Sequence, residues 1–527
     1  MSQSALKKIN GAMEITWLLI IALVPLYFDR FLFNPWEMAK NILFQSLTEI
    51  LFCLFLIRLI LFGLPRITWQ QIKYFLPALI FIIILGISTI FSQVPWFSFW
   101  GNWERRLGYL AWLHFFVFAT ILFFNLKSEK QIQRIIITII ITTTIVVIYG
   151  FIQLLGLEPF EWTEDVFLTH RVYSTIGQPN FYGSWLLLVI PIIIYSLIKI
   201  KKFLMKFLII ILLIALFLSL IFTQSRGGWL GFVISLFFFL IVFFWQKKRK
   251  KIAFAFLILI LIGFVSFIYF NFFHPLPINQ NDNFLIVRLK TFSNVKVFGQ
   301  YRLMHWQVAL KIIKNRSIGR ILLGSGLGSQ RFYLPKYYRP EFAIYESPNI
   351  YLDYVHNDIL DTLLTSGILG LISYLSLIGF IFYFGFKGMR ENILNLFLLT
   401  GLVGYLISLQ FSFHIMSTLP YFWLFIILLL IKNSIQITND QQWNSEIIGR
   451  QKNRILKIFS IVLIVFLTCF LIWWFNLRLY LASHYLLKAT LEKLKNNWSA
   501  MVKYHELSVK YQPDNPYFRQ QFALALL

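Results

Sequence analysis

One polar cluster stands at the start of a long apolar run, in the segment YVHNDILDTLLTSGILG at residues 354–370, where His356, Asn357 and Asp358 follow one another. An imidazole titrates near neutral pH, so His356 is a candidate general base, with Asp353 or Asp358 as the carboxylate that orients its ring. The alternatives are a hydrogen-bonded surface histidine and a helix N-cap at Asn357 or Asp358. A metal site is disfavoured, because no second histidine follows at i+4 and the chain has no DxD or HExxH motif.

Two arginines occupy positions that suit an anionic ligand. Arg226 lies in TQSRGGWLGF (223–232), which joins two apolar runs with almost no loop. Arg302 stands at the start of YRLMHWQVALKIIKN (301–315), whose apolar spacing predicts an amphipathic helix at the membrane surface. An arginine near bilayer depth without an acidic neighbour favours an anion, and the alternative for Arg226 is a snorkelling side chain in a Gly-Gly turn. GSGLGS (324–329) is a glycine-rich turn and not a P-loop, because no GK[ST] follows it.

Membrane helices must position these residues. The chain of 527 residues is 58% hydrophobic and only 13% charged, whereas a soluble domain is about a quarter charged. Its repeated apolar runs are long enough to cross a bilayer and predict an all-α integral membrane protein with about 12–13 transmembrane helices. The predicted spans lie at about 15–28, 42–63, 74–91, 109–125, 135–155, 181–198, 203–222, 228–245, 252–272, 359–384, 392–411, 419–431 and 457–475.

Basic residues predict the orientation of these helices. They cluster in alternate connections, as in KIKKFLMK (199–206) and QKKRKK (246–251), so much of the net charge of +26 reflects topology rather than nucleic-acid binding. With the N-terminus inside, the one large loop, 273–358, and the C-terminal tail are extracytoplasmic. We therefore expect a multi-pass protein of the cytoplasmic (plasma) membrane, with His356 on its outer side.

Together the motifs resemble those of the O-antigen ligase and polymerase family of bacterial integral-membrane glycosyltransferases. HNDILDTLLTSGILG resembles the HNxxL…xxxGxxG signature of this family, TQSRGG its SRG turn, and YRLMHW its R-xxx-W helix start. STIGQPNFYGSWL (174–186) resembles its G-x-PN-xx-G entry to a span. GNWERRLGYL (101–110) resembles the R-xx-G segment of members that carry tetratricopeptide repeats. The five motifs occur in family order, and the resemblance covers roughly residues 15–431.

The resemblance implies transfer of a glycan from an undecaprenyl-diphosphate donor to an acceptor hydroxyl at the outer face of the cytoplasmic membrane. The reaction of the family is inverting and uses neither a metal nor a cofactor. Carried over to this chain, the resemblance makes His356 the residue that activates the acceptor hydroxyl. Arg226 and Arg302 become the residues that bind the diphosphate and neutralise its growing charge.

Four further residues enter as weaker or supporting candidates. Arg105 is a second choice for binding the same anion. The resemblance makes Asn180 a residue that positions sugar or shapes the cavity, and it gives Asn357 and Asp358 supporting positions beside the histidine. His305, an addition to the helix start, and the distinctive outer loop depart from the family pattern and leave the acceptor undetermined.

The predicted domain organisation has three parts. Residues 1–456 form a polytopic glycosyltransferase domain, residues 457–475 form an additional span, and residues 476–527 form a helical segment. The ending PDNPYFRQQFALAL is similar to the turn and next helix of a tetratricopeptide repeat, and we expect that repeat to be incomplete. Such a segment suits a protein partner.

Other functions are compatible with parts of the same sequence pattern. A polymerase of lipid-linked glycans or a protein O-oligosaccharyltransferase shares the fold and motifs and differs in its acceptor, which is a glycan, lipid or protein hydroxyl. A transporter or flippase of lipid-linked sugars would show charges at mid-membrane depth and a half-chain repeat, which the sequence does not clearly display. A structural scaffold is the third alternative. The expected partners of the enzyme are the lipid-linked donor, the acceptor and membrane lipids, without nucleic acid.

Overall fold

The computed structural model describes residues 3–63, 69–160, 171–274, 276–279, 282–293, 299–345, 353–389, 392–434 and 454–527. These residues contain α-helices and no β-strand, which confirms the all-α class. The helices before the large loop are α1 (Gln3–Leu26), α2 (Glu37–Phe62), α3 (Trp69–Ile90), α4 (Pro95–Trp100), α5 (Tyr109–Asn125), α6 (Glu129–Leu154), α7 (Pro179–Lys199), α8 (Phe203–Phe222), α9 (Arg226–Gln246) and α10 (Lys250–Phe272).

The large loop is itself helical over much of its described length. Its helices are α11 (Phe284–Lys290), α12 (Gln300–Lys314), α13 (Ile318–Leu323), α14 (Gln330–Tyr333) and α15 (Phe342–Tyr345). The helix expected over 301–315 is confirmed as α12. Apolar side chains on one face of α12, including Val308 and Ile312, are buried against Leu334, Phe342 and Leu364.

The last third of the chain returns to long helices. They are α16 (Asp358–Gly388), α17 (Leu394–Leu409), α18 (Leu419–Ser434), α19 (Arg454–Leu471), α20 (Arg478–Leu494), α21 (Trp498–Tyr511) and α22 (Pro516–Leu526). A π-helical turn, Ile472–Leu477, joins α19 to α20 without a break.

The membrane-spanning helices agree with the sequence prediction. Among the described residues, 10 helical segments are long and apolar enough to cross a membrane. The helices α5, α17 and α18 are also apolar but shorter. Together they match the thirteen predicted spans one by one. The short first span proves to be the C-terminal part of α1, which has 24 residues.

Small residues bring the central helices close together. Nearly the whole apolar length of α7 is buried, and α17 lies beside it. A Cβ atom added to Gly231 of α9 would lie 2.6 Å from the Gly404 carbonyl oxygen of α17. One added to Gly183 of α7 would lie 3.1 Å from Cβ of Ser225, the residue before α9. Close approach of this kind packs membrane helices where apolar burial does not drive association.

The large loop is anchored in a break in α16. The break lies at Gly367, where φ is 68° and ψ is −168°. The glycine-rich turn packs into it, and the backbone N–H groups of Ser325 and Gly326 donate to the carbonyl oxygens of Leu364 (3.1 Å) and Thr365 (2.8 Å). The loop therefore satisfies carbonyl groups that the broken helix leaves without a partner in the helix itself. It also fixes the half of α16 that follows His356.

The C-terminal helices pack on the connection between α1 and α2 and on the loop between α4 and α5. The Tyr480 hydroxyl donates to Asp29 (2.9 Å), and the Phe33 N–H donates to the Ser483 hydroxyl (3.1 Å). Tyr517 stacks on Trp103 with ring centroids 3.8 Å apart. The tail is therefore helical and firmly packed, while its relation to the tetratricopeptide repeat stays a prediction.

Candidate functional site

His356 is held in a constrained conformation immediately before α16. Its φ of +58° lies in the left-handed region that non-glycine residues rarely adopt. Its Nδ1 lies 3.2 Å from the Tyr354 carbonyl oxygen. A carbonyl oxygen can only accept, so Nδ1 carries the proton and donates it, and Nε2 carries the lone pair. In this tautomer the ring takes up a proton through Nε2.

A second histidine shares the same carbonyl group. His305 of α12 donates through Nδ1 to the Tyr354 oxygen (3.1 Å), and the two imidazole centroids lie 5.7 Å apart. Burial, together with the charges of Arg302 and His305, lowers the pKa of His356 to about 3. Burial is also the main cause that lowers the pKa of His305 to about 4. Both rings are therefore neutral near pH 7, and a neutral imidazole is the form that accepts a proton.

The start of α16 is tied down by the residues that follow His356. The side chain of Asn357 accepts from the Leu360 N–H (3.0 Å) and donates to the Gln410 carbonyl oxygen (3.3 Å). This confirms the N-cap expected at Asn357 or Asp358. Asp358 faces His414, with its Oδ1 3.3 Å from Nε2 of that ring.

The orienting partner of His356 differs from the one expected. The sequence suggested that Asp353 or Asp358 would accept the proton of the ring. Asp358 is directed to His414, and Asp353 pairs with Arg105. The backbone carbonyl of Tyr354 takes their place at Nδ1.

Asp361 holds together the segments on either side of His356. Its Oδ1 accepts from the Val355 N–H (2.9 Å) and from the Gln330 amide (3.2 Å) of α14. The carboxylate is buried, so it fixes both the backbone next to His356 and the large loop. Asp361 was not predicted as a site residue. Its only signal was a carboxylate one turn inside an otherwise apolar helix.

Arg226 begins α9 at a turn built by hydroxyl groups. The Ser225 hydroxyl accepts from the Gly228 N–H (3.2 Å), and the Thr223 hydroxyl accepts from the Ser225 N–H (3.2 Å). Because α9 starts at Arg226 and has 21 residues, the positive end of its helix dipole lies at Arg226. Helix N-termini of this kind bind phosphate groups.

Arg226 is part of a cluster of four arginines. It is in electrostatic contact with Arg302 and Arg171. Burial is the main cause that lowers the pKa of Arg288 to about 10, and the charges of Arg171 and Arg226 lower it further. Arg302 in turn acts on the pKa of His356. Positive charges that act on one another in this way favour an anion close to them. Arg171 and Arg288 were not predicted as site residues.

Several of the candidate residues lie at the start of a helix. Arg226 starts α9, Arg302 is the third residue of α12, and His356 stands two residues before α16. Asn180 is the second residue of α7. The partial positive charge of a helix N-terminus adds to the charge of Arg226 and Arg302.

Asn180 is connected to this region through its neighbours. Phe181 packs edge-on against Phe413 (5.3 Å between centroids), and Phe413 contacts the His356 ring (5.3 Å). Gly183, one turn later, packs on Ser225 beside Arg226. The position suits the supporting role predicted for Asn180, which stays a prediction.

Arg105 also lies at His356, but its guanidinium is already engaged. It pairs with the Asp353 carboxylate and lies over the rings of Tyr354 and Phe413, 5.0 and 4.5 Å from their centroids. These contacts suit a residue that holds the segment before His356 in place. Diphosphate binding by Arg105 stays a prediction.

Two comparisons with known proteins bear on this site. A family model described as O-antigen ligase matches residues 210–375. The matched segment contains Arg226, Arg302 and His356, and also Arg288, Asn357, Asp358 and Asp361, whereas Asn180 and Arg105 precede it. A search of the curated proteins found no match. The match supports a membrane protein of a ligase and polymerase family that transfers glycans, with lipid-linked glycans and membrane lipids as partners.

Proposed function

We propose that this protein transfers a glycan from undecaprenyl diphosphate to an acceptor hydroxyl. The premise is that residues 210–375 match the family model described as O-antigen ligase. The acceptor is carried by a glycan, a lipid or a protein, so that ligase, polymerase and protein O-oligosaccharyltransferase share the chemistry. The observation that carries the proposal is a neutral imidazole with its lone pair on Nε2, linked through Arg302 to a cluster of arginines.

His356 is the general base of the proposed reaction. Its Nε2 takes the proton of the acceptor hydroxyl while the hydroxyl oxygen forms a bond to the anomeric carbon. The bond from that carbon to the diphosphate oxygen breaks, and its electron pair stays on the diphosphate. Attack from the face opposite the leaving group inverts the configuration, as in other single-displacement reactions at an anomeric carbon.

The arginines bind the donor and stabilise the leaving group. Arg226 and Arg302 hold the diphosphate with bidentate hydrogen bonds, and Arg171 and Arg288 enter the proposal as members of the same cluster. Donors that are already in place where negative charge develops lower the barrier most. A bound diphosphate also offsets the charge of Arg302, which raises the pKa of His356 towards the working pH and makes the ring a stronger base.

The experiment that tests this function is the His356→Ala substitution in a transfer assay with lipid-linked glycan. Loss of a general base lowers the rate on the order of 10²–10⁴-fold, with normal expression and membrane insertion. Asn357→Ala is the matched control, because loss of a helix cap lowers the stability by about 1 kcal/mol and leaves the base in place. Near-normal transfer by a well-expressed His356→Ala protein would refute the assignment.

The proposed reaction takes place on the outer face of a bacterial cytoplasmic membrane. The distribution of basic residues puts the large loop and the tail outside and the N-terminus inside. Fusions at residues 340 and 520 to a reporter that is active only outside the cytoplasm should both give a signal. A cytoplasmic signal from either fusion contradicts this orientation.

A further inference from the structure

A cavity of about 840 Å³ lies between the C-terminal helices and the segment 94–106. Its walls come from α4 and the loop after it, from the start of α14, from the π-helical turn after α19, and from residues 512–524. Its size is within the range of about 300–1,000 Å³ that small-molecule sites occupy. Arg106 lines this cavity, whereas the adjacent Arg105 belongs to the His356 site.

Aromatic faces form much of the lining. Trp96 is 36% exposed, so its ring is accessible to a ligand. Trp474 is 44% exposed, and the Arg478 guanidinium covers part of its ring at 4.1 Å from the centroid. Trp100 packs between Trp96 and Phe475, with centroid distances of 6.3 and 5.2 Å. The face of an aromatic ring is electron-rich, so it attracts the C–H groups on the apolar face of a sugar ring.

The remaining lining is polar and mixed in charge. The lining includes Glu104, Arg331 and Arg478, together with Asp514 from the connection between α21 and α22 and Gln520 and Gln521 from α22. Planar amide, carboxylate and guanidinium groups supply the paired donors and acceptors that match neighbouring hydroxyl groups. An anion would favour basic groups alone, and a lipid tail would favour an apolar lining. This combination instead fits an uncharged polyhydroxylated ligand.

We propose that this cavity is an oligosaccharide-binding site that holds sugar residues of a glycan substrate. The inference rests on the proposed function for the source of the glycan, but not for the binding itself. The carbonyl oxygens of Arg105 and Arg106 both accept from the Asn41 amide (3.1 Å each), so the segment between the cavity and the His356 site is fixed. A glycan chain held here stays next to the reaction site while its reacting end is exchanged.

The test is a binding measurement on the purified full chain, without any transfer. The probe is an oligosaccharide released by mild acid from the lipid-linked glycans of the native membranes and labelled at its reducing end. Fluorescence polarisation gives its Kd for the wild type and for Trp96→Ala, Trp474→Ala and Gln521→Ala. The matched control is Trp498→Ala, because Trp498 is 55% exposed on α21 and does not line the cavity. Binding is also measured for the His356→Ala protein, and vesicles of undecaprenyl phosphate are added as a competitor of the probe.

The proposal predicts that each tryptophan substitution in the cavity weakens binding about 3- to 10-fold. Trp498→Ala and His356→Ala bind as the wild type does, and the vesicles do not displace the probe. Undetectable binding by the wild type, unchanged binding by cavity variants that keep the wild-type Tm, or displacement by the vesicles overturns it. Gln521→Ala serves as the deciding variant if a tryptophan substitution lowers the Tm. If the His356→Ala protein still binds the oligosaccharide and also transfers glycan normally, only the proposed catalytic role of His356 is refuted.

Discussion

Arg105 and Arg106 are consecutive residues, yet they serve two regions of different chemistry. Arg105 pairs with Asp353 and lies over Tyr354 at the His356 site. Arg106 donates to the Phe475 carbonyl oxygen (3.0 Å) and lies over Trp100 at the aromatic cavity. The φ of +50° at Arg106 turns the backbone between them. One short loop thus separates the two regions.

The regions differ in how their charges are arranged. The His356 site gathers four arginines, and two of them, Arg226 and Arg302, lie at helix N-termini, where the helix dipole also favours an anion. The cavity mixes both signs of charge with aromatic faces. The contrast suggests that the protein binds the diphosphate and the sugars of its substrate by separate means.

After His356, the largest effect is expected at Arg226. Arg226→Ala removes a preorganised donor to the leaving group and should lower kcat about 10²–10³-fold. Arg226→Lys should restore only part of the rate, because a point charge cannot replace the bidentate fork. Oligosaccharide binding in the cavity should not change. Arg339→Ala is the matched control, since Arg339 is an exposed arginine of the large loop. Equal activity of the Arg226→Ala and Arg339→Ala proteins would contradict the assignment.

A smaller effect is expected at Asp361, which positions the catalytic segment without touching substrate. Asp361→Ala leaves the Val355 N–H and the Gln330 amide without their acceptor, so the backbone beside His356 shifts. A displacement of about 1 Å can lower the rate up to about 10²-fold. Asp361→Asn keeps an acceptor oxygen and should recover most of the kcat. If both variants lose activity equally while their Tm stays the same, Asp361 has a role that its hydrogen bonds do not explain.

The smallest effect concerns the pH dependence of the wild type. A general base acts when it is unprotonated, and the free-enzyme pKa governs kcat/KM. Because the pKa of His356 is lowered to about 3, its base form persists well below the usual value near 6.5. We expect kcat/KM to stay level from pH 8 to about 5. A fall in kcat/KM centred near pH 6.5 would mean that burial does not lower the pKa of His356 in the free enzyme.

Much of the fold was predictable because its signals are local. Apolar runs mark the spans, and polar residues at helix starts mark Asn357 as a cap and Arg226 as an end residue. Except for Arg105, which lies in the loop between α4 and α5, the site residues found from the sequence lie at or just before such starts. Helix ends expose backbone groups that need polar partners, so they carry a pattern that a single sequence displays.

The remaining features depend on contacts between distant segments. The Lys40 ammonium of α2 is buried and donates to the Thr175 carbonyl oxygen (2.7 Å), and Glu37 accepts from the Met416 N–H (2.9 Å). The sequence suggested charges mainly near the membrane surface. The role of the glycine-rich turn and the clustering of Arg171 with Arg288 were hidden for the same reason. The partners of Lys40 and Glu37 lie more than a hundred residues away, as Arg288 does from Arg171, and those of the glycine-rich turn lie 39 residues away.

The most direct test of the central claim is a cryo-EM structure with undecaprenyl diphosphate bound to the full chain. We expect density for the diphosphate between Arg226 and Arg302, at hydrogen-bond distance from both guanidinium groups, with His356 beside the position of the anomeric carbon. Diphosphate density at Arg106 and Arg331 in the aromatic cavity, or at any position more than one sugar ring from His356, would contradict it.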